Sequence, residues 1–186
     1  MKRFLPLLIL LGAIGSFGKL QAQTATCQGL TIQLDGTGNY SFDTPLTPQT
    51  DAEQLVTAGS ATNFQSWQSF TPTVSGLLYS VTFDLAAPYG GGASLLTIYQ
   101  GEGLGTTLGS KSSGPLPAGP NEFILDFPLD ITAGTIYTFE LRDQLLSTGI
   151  TLSKNDGNPY ADGRNNISST SDFVFSTKIL QRPEID

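Results

Sequence analysis

"LLYSVTFDL", residues 77–85, decides how this chain folds. Tyr79, Val81, Phe83 and Leu85 alternate with Ser80, Thr82 and Asp84, a period of two that belongs to a β-strand with one face in a core and the other in water. The same alternation recurs on both sides of it. "NEFILDF" aligns Phe123, Leu125 and Phe127, "TIYTFELRD" aligns Tyr137, Phe139 and Leu141, "GITLS" aligns Ile150 and Leu152, and "DFVFSTKI" aligns Phe173 and Phe175. "ASLLTIYQ" is apolar on both faces, with Leu96 and Ile98 opposed to Leu95 and Tyr99, as in a strand inside its sheet.

With "FQSWQSFT" and a short strand around "TTLGSK", about eight strands follow residue 60, separated by Gly, Pro, Asn and Asp. No segment beyond the first residues carries a sustained apolar stripe at helical spacing. Two antiparallel sheets packed face to face satisfy this pattern, because a single open sheet would leave its apolar face wet. The expected fold is all-β, a jelly-roll-like antiparallel β-sandwich over residues 60–180 with a tail at 181–186. Each inward aromatic or aliphatic side chain contributes about 1.5–3 kcal/mol on burial, ample for a core without disulfides.

Ahead of it, "GLTIQLDGTGNYSFD" reads as a hairpin: Leu30, Ile32 and Leu34 share one face, "DGTGN" turns, and Tyr40 and Phe42 return. "TPLTPQTDAEQLVTAGSATN" has little periodicity, and residues 23–59 are assigned to hairpin and linker. Residues 1–22, with Lys2 and Arg3 before an apolar run from Phe4 to Ile14, form a secretory signal peptide, the run being too short to span a bilayer. Cleavage near Ala22 removes Lys2, Arg3 and Lys19 and leaves six basic residues against sixteen acidic ones. So acidic a surface repels phosphate backbones and anionic headgroups, which argues against nucleic-acid and membrane-surface partners. The expected product is exported, in the periplasm or at the cell surface.

Cys27 is the sole cysteine, so no internal disulfide forms. It is read as an unpaired thiol or a contact to another chain; Thr26 before it departs from a lipoprotein signal. There is no histidine, which removes the usual general base and the commonest metal ligand and excludes Ser-His and Cys-His nucleophiles. Neither a phosphate-binding glycine loop nor a cysteine cluster is present, and no cofactor is expected. Calcium is the one metal to weigh. "DGTGN" places oxygens at calcium-loop positions, but Tyr40 stands where the turn glycine belongs; "NDGNPYADG", residues 155–163, is the richer candidate and also a plain loop.

Candidate contact residues for a ligand are Trp67, Tyr99, Tyr160, Asp162 and Arg164. If Phe70 is buried, Trp67 shares the outer face with Gln65 and Ser69, as a sugar-stacking platform flanked by hydrogen-bonding groups would. A bulge would instead turn it into the core. Tyr89 and Tyr160 lie in glycine-rich loops, where each ring either caps the sandwich or meets a partner, and Asp162 and Arg164 adjoin Tyr160. "NIS", 166–168, matches an N-glycosylation sequon.

Taken in order, "WQSFTPTVSGLLYSVTFDL", "LLTIYQGEGLGTTLGS", "DITAGTIYTFEL", "NPYADGR" and "DFVFST" resemble a recurrent β-sandwich module of secreted bacterial surface proteins, over about residues 64–178. "CQGLTIQLDGTGNYSF" is similar to a linker strand that follows hyalin-repeat-like domains. The resemblance implies a carbohydrate-binding-like or galactose-binding-like outline and carries no catalytic motif to transfer. The expected function is an exported, non-catalytic binding module for extracellular glycan or polymer. The alternatives are a structural or adhesive surface protein acting through protein contacts, then a glycosidase using two carboxylates.

Overall fold

The computed structural model describes residues 47–181 and, as backbone, three strands before them. The chain divides into two units, Met1–Pro45 and Leu46–Asp186. In the first, β1 (Gln23–Cys27), β2 (Leu30–Leu34) and β3 (Tyr40–Phe42) form an antiparallel sheet in that order. β2 and β3 are the expected hairpin, with Leu34 opposite Tyr40, and β1 adds a third strand. The signal segment 1–22 and the 35–39 turn lie outside the described residues.

The second unit is built from β4 (Gln49–Gln54), β5 (Gly59–Asn63), β6 (Gln65–Phe70), β7 (Gly76–Leu85), β8 (Ser94–Gln100), β9 (Thr106–Ser113), β10 (Gly119–Ile131), β11 (Tyr137–Asp143), β12 (Ile150–Asn155), β13 (Asp172–Phe173) and β14 (Phe175–Gln181). The larger sheet runs β13-β12-β7-β14-β4, with β10 also on β7 and β5 also on β12. The smaller runs β6-β11-β8-β9. Every strand pair is antiparallel, and no helix among the described residues is long and apolar enough to cross a membrane.

The inward faces meet around Phe139 of the smaller sheet. Its ring lies 5.5 Å from Phe70 and 5.0 Å from both Phe83, edge to face, and Phe175. All four are essentially inaccessible to solvent, as are Leu96, Ile98, Ile150 and Leu152. β8 lies between β11 and β9, as its apolar faces predicted.

Three expectations are corrected. Tyr79 is half-buried rather than in the core, because Leu78 and Ser80 on β7 oppose the neighbouring Ile179 and Lys178 on β14. Tyr79 is thus the extra residue of a bulge, and one extra residue exchanges the faces of those before it, so Leu78 is inward instead. Phe127 is 84% exposed, although Phe123 and Leu125 are buried. The β10 register breaks between Ile124 and Leu129, where Pro128 has no N–H to give the ladder and restricts the residue before it. Finally, residues read as linker include β4, an edge strand on β14, and the start of β5 on β12. β4 is mostly polar because only Ala52 and Gln54 face inward, and the buried Thr177 hydroxyl bonds both the N–H and the carbonyl of Ala52.

Candidate functional site

β6 pairs with β11 over six consecutive residues, with Trp67 opposite Glu140, and β11 pairs with β8 with Glu140 opposite Thr97. Ser66, Gln68 and Phe70 are buried on the inner face, so Gln65, Trp67 and Ser69 point outward. The unbroken register leaves no bulge to turn the indole inward. Trp67 is half-buried on the outer face of the smaller sheet, and Tyr99 stands on that same face two strands away.

Between them lies Glu140, only 1% exposed although it belongs to the outer face. Its Oε2 accepts the Tyr99 hydroxyl at 2.6 Å, its Oε1 accepts the Gln65 amide, and Arg142 Nε stands 3.8 Å from Oε1. Burial, helped by the bond to Glu140, pushes the Tyr99 phenol up to about 12. Alternation in "YTFEL" announces that Glu140 points away from Phe139; nothing in it announces that Glu140 is covered.

The covering continues at the free edge of β6, where residues 163–166 run alongside. Ser69 N–H donates to the Arg164 carbonyl at 2.8 Å and Asn166 N–H to the Trp67 carbonyl at 3.1 Å, while the Asn166 carboxamide accepts from Trp67 N–H and donates to the Gln65 carbonyl. The carboxamide of the sequon is therefore committed to β6. Gly163 makes the approach possible: a Cβ there would lie 2.0 Å from the Ser69 carbonyl oxygen.

Arg164 is thereby carried over Trp67, its guanidinium carbon 5.2 Å from the ring centroid, a cation–π arrangement. Its Nε and Nη2 donate to Glu102 Oε1 at 2.9 and 2.6 Å. Glu102 is presented by the β8–β9 turn, whose Gly101 and Gly103 have φ of +85° and +80°, the left-handed region glycine tolerates. The Thr138 hydroxyl pins that turn by donating to the Gly101 carbonyl and accepting from Gly103 N–H. Between turn and loop opens a cleft of about 330 Å³, lined by Ser69, Thr71, Glu102, Asn158, Asp162 and Arg164 among others.

Of the five expected contact residues, the structure brings Arg164 over Trp67 and Arg164 and Asp162 into the cleft wall, with Tyr99 farther along the sheet face. Tyr160 supports the cleft from behind. Its ring meets Phe175 edge to face at 5.2 Å, and its hydroxyl accepts from Thr71 N–H and donates to the Thr71 carbonyl. Burial raises its pKa. Tyr89 likewise caps the sandwich, 3% exposed and donating to Asp143. In the 155–163 segment weighed for calcium, Asn155 Oδ1 accepts from Gly157 N–H and Asp156 pairs with Lys154. No group of three or more acidic, Cys or His side chains converges as a metal site among the described residues. Glu102, Glu140 and Asn158 were not foreseen as site residues.

No protein-family model and no curated protein matches the chain. Solved structures that share its fold include two of one clostridial protein. One is a clostridial cysteine protease, Cwp84, after propeptide cleavage, with a TM-score of 0.53 and 12% identity over 77% of this chain. The other comprises the cysteine protease and lectin-like domains of Cwp84, a surface layer associated protein of Clostridium difficile, with a TM-score of 0.52 and 12% identity over 78% of this chain. This chain spans 42% and 38% of the length of those chains. At that identity the likeness shows the β-sandwich fold alone.

Proposed function

We propose that the protein is an exported, non-catalytic module that binds extracellular glycan through the outer face of its smaller sheet and the adjoining cleft. The observation that carries this reading is the half-exposed indole of Trp67 on a sheet face, edged by Gln65 and roofed by Arg164, next to a polar cleft. Indole faces stack on the apolar face of a pyranose, while amides, hydroxyls and carboxylates bond its hydroxyl groups. Cwp84, with which the fold is shared, contains a lectin-like domain and is associated with a surface layer, which agrees in kind with a binding role outside the cytoplasm.

Two carboxylates beside the indole, Glu102 and Glu140, support binding rather than hydrolysis. Glu102 is held by the Arg164 guanidinium, and Glu140 by the Gln65 amide and the Tyr99 hydroxyl, so both are committed within the protein. A glycosidic general acid must instead turn a protonated oxygen toward the scissile bond. The reading is tested by retention on a polysaccharide panel. Trp67→Ala abolishes retention while lowering stability by less than the ~3–5 kcal/mol of a fully buried aromatic. A wild-type protein retained by no glycan removes the proposal.

A further inference from the structure

The cleft beside Trp67 has a chemical bias that narrows its ligand. Its one cationic side chain, Arg164, is already engaged by Glu102. The Asp162 carboxylate is exposed and takes no hydrogen bond among the described residues; its backbone carbonyl accepts from the Thr71 hydroxyl. Asn158 Oδ1 is buried at the wall without a partner among the described residues, on a residue whose φ is +47° and whose N–H donates to the Thr170 carbonyl. An orphaned buried acceptor costs about 1–3 kcal/mol, and the other end of the same carboxamide, the Nδ2 amide, is the part left to a ligand. What remains for a ligand is the free Asp162 carboxylate beside the Asn158 amide, with no uncommitted cationic side chain in the cleft wall. An anionic sugar would bring more acceptors and face Glu102 and Asp162 besides.

We infer that this cleft is a subsite for a neutral, hydroxyl-rich sugar unit, whose hydroxyls donate to the Asp162 carboxylate and accept from the Asn158 amide while the next unit of the chain reaches the indole of Trp67. This rests on the glycan-binding reading and gives it a substrate class. The volume stands at the lower end of the roughly 300–1,000 Å³ usual for small-molecule sites, as suits one or two rings.

The test is calorimetric titration of the full chain with neutral oligosaccharides and with uronic-acid oligosaccharides, each with and without EDTA. Two variants leave the fold in place: Asp162→Ala on an exposed side chain, and Asn158→Gly, which removes the amide at a φ that glycine accepts. Thermal melts check that both are folded. Neutral oligosaccharides bind, each variant weakens them about tenfold, and EDTA changes nothing. Preference for uronates, loss of binding in EDTA, or neutral-sugar binding that Trp67→Ala abolishes but neither cleft variant alters would overturn the subsite and leave the binding module standing. Absence of binding to every glycan would remove both.

Discussion

The Tyr99 hydroxyl and the Glu140 carboxylate meet at 2.6 Å on the outer face of the smaller sheet, where a half-buried phenol covers a buried acid on a surface that faces away from the core. An acceptor so covered is tolerated because donors from Tyr99 and Gln65 converge on it. Tyr99→Phe removes one charge-assisted bond and lowers stability by about 1–3 kcal/mol. Glu140→Ala strands both donors and costs more, about 3 kcal/mol or above. Urea denaturation of both variants checks the order; a Glu140→Ala protein as stable as Tyr99→Phe would show that the carboxylate does not organise this face.

Trp67 is the only tryptophan, so its emission reports on the Arg164 roof. Arg164→Ala shifts the emission to longer wavelength and raises acrylamide quenching, with stability changed by no more than about 1 kcal/mol, since the lost ion pair is largely exposed. Gly163→Ala produces the same optical change by another route: its Cβ cannot coexist with the Ser69 carbonyl, so the strip 163–166 must leave β6, at about 1–3 kcal/mol. Unchanged emission in both variants would contradict the contact of Arg164 with the half-exposed indole.

How far these features were visible beforehand depends on the range of the interaction. The outward direction of Trp67 follows from neighbours one and three residues away, because side chains alternate on a strand. Its roof does not, since Arg164 reaches it only through the pairing of 163–166 with the edge of β6. Glu140 shows the same division: alternation gives its face, while its burial depends on Tyr99 and Gln65 arriving from two flanking strands. "GEG" stands within one of the stretches that carry the resemblance, but only the structure shows that its glycines shape the turn that presents Glu102. The linker reading of "TPLTPQTDAEQLVTAGSATN" failed at β4 because edge strands need only one inward row, which here amounts to Ala52 and Gln54.

Phe123 and Phe127 look equivalent by period, and the β10 irregularity separates them. Phe123→Ala destabilises the sandwich by about 3–5 kcal/mol, whereas Phe127→Ser is within about 0.5 kcal/mol of neutral. Melting curves decide between them. Sedimentation of the Phe127→Ser protein also bears on the adhesive alternative: if the exposed ring mediates contacts between chains, self-association of the wild type falls in the variant.

Stability should fall off at both ends of the pH scale for identifiable reasons. Asp143 accepts bonds from the Ser147 hydroxyl and N–H, Thr148 N–H, Leu145 N–H and the Tyr89 hydroxyl, which hold its carboxyl well below its ordinary value of 3.8. The folded protein thus binds that proton more weakly than the unfolded chain, so the contribution is whole above about pH 4 and drains as pH falls below it. Tyr89 and Tyr99 act in the opposite sense. Burial first, and bonds to Asp143 and Glu140 second, push each from 10.0 to about 12, so their contribution is whole below pH 10 and is lost as pH rises from there toward 12. Urea midpoints measured across pH isolate the groups by difference. Asp143→Asn flattens the acid limb and lowers the melting temperature at neutral pH, because the 144–148 turn loses the ionised acceptor that gathers its N–H groups. The Tyr89→Phe, Tyr99→Phe double variant flattens the alkaline limb. An alkaline limb of unchanged slope in that double variant would mean that neither phenol is held neutral by the fold.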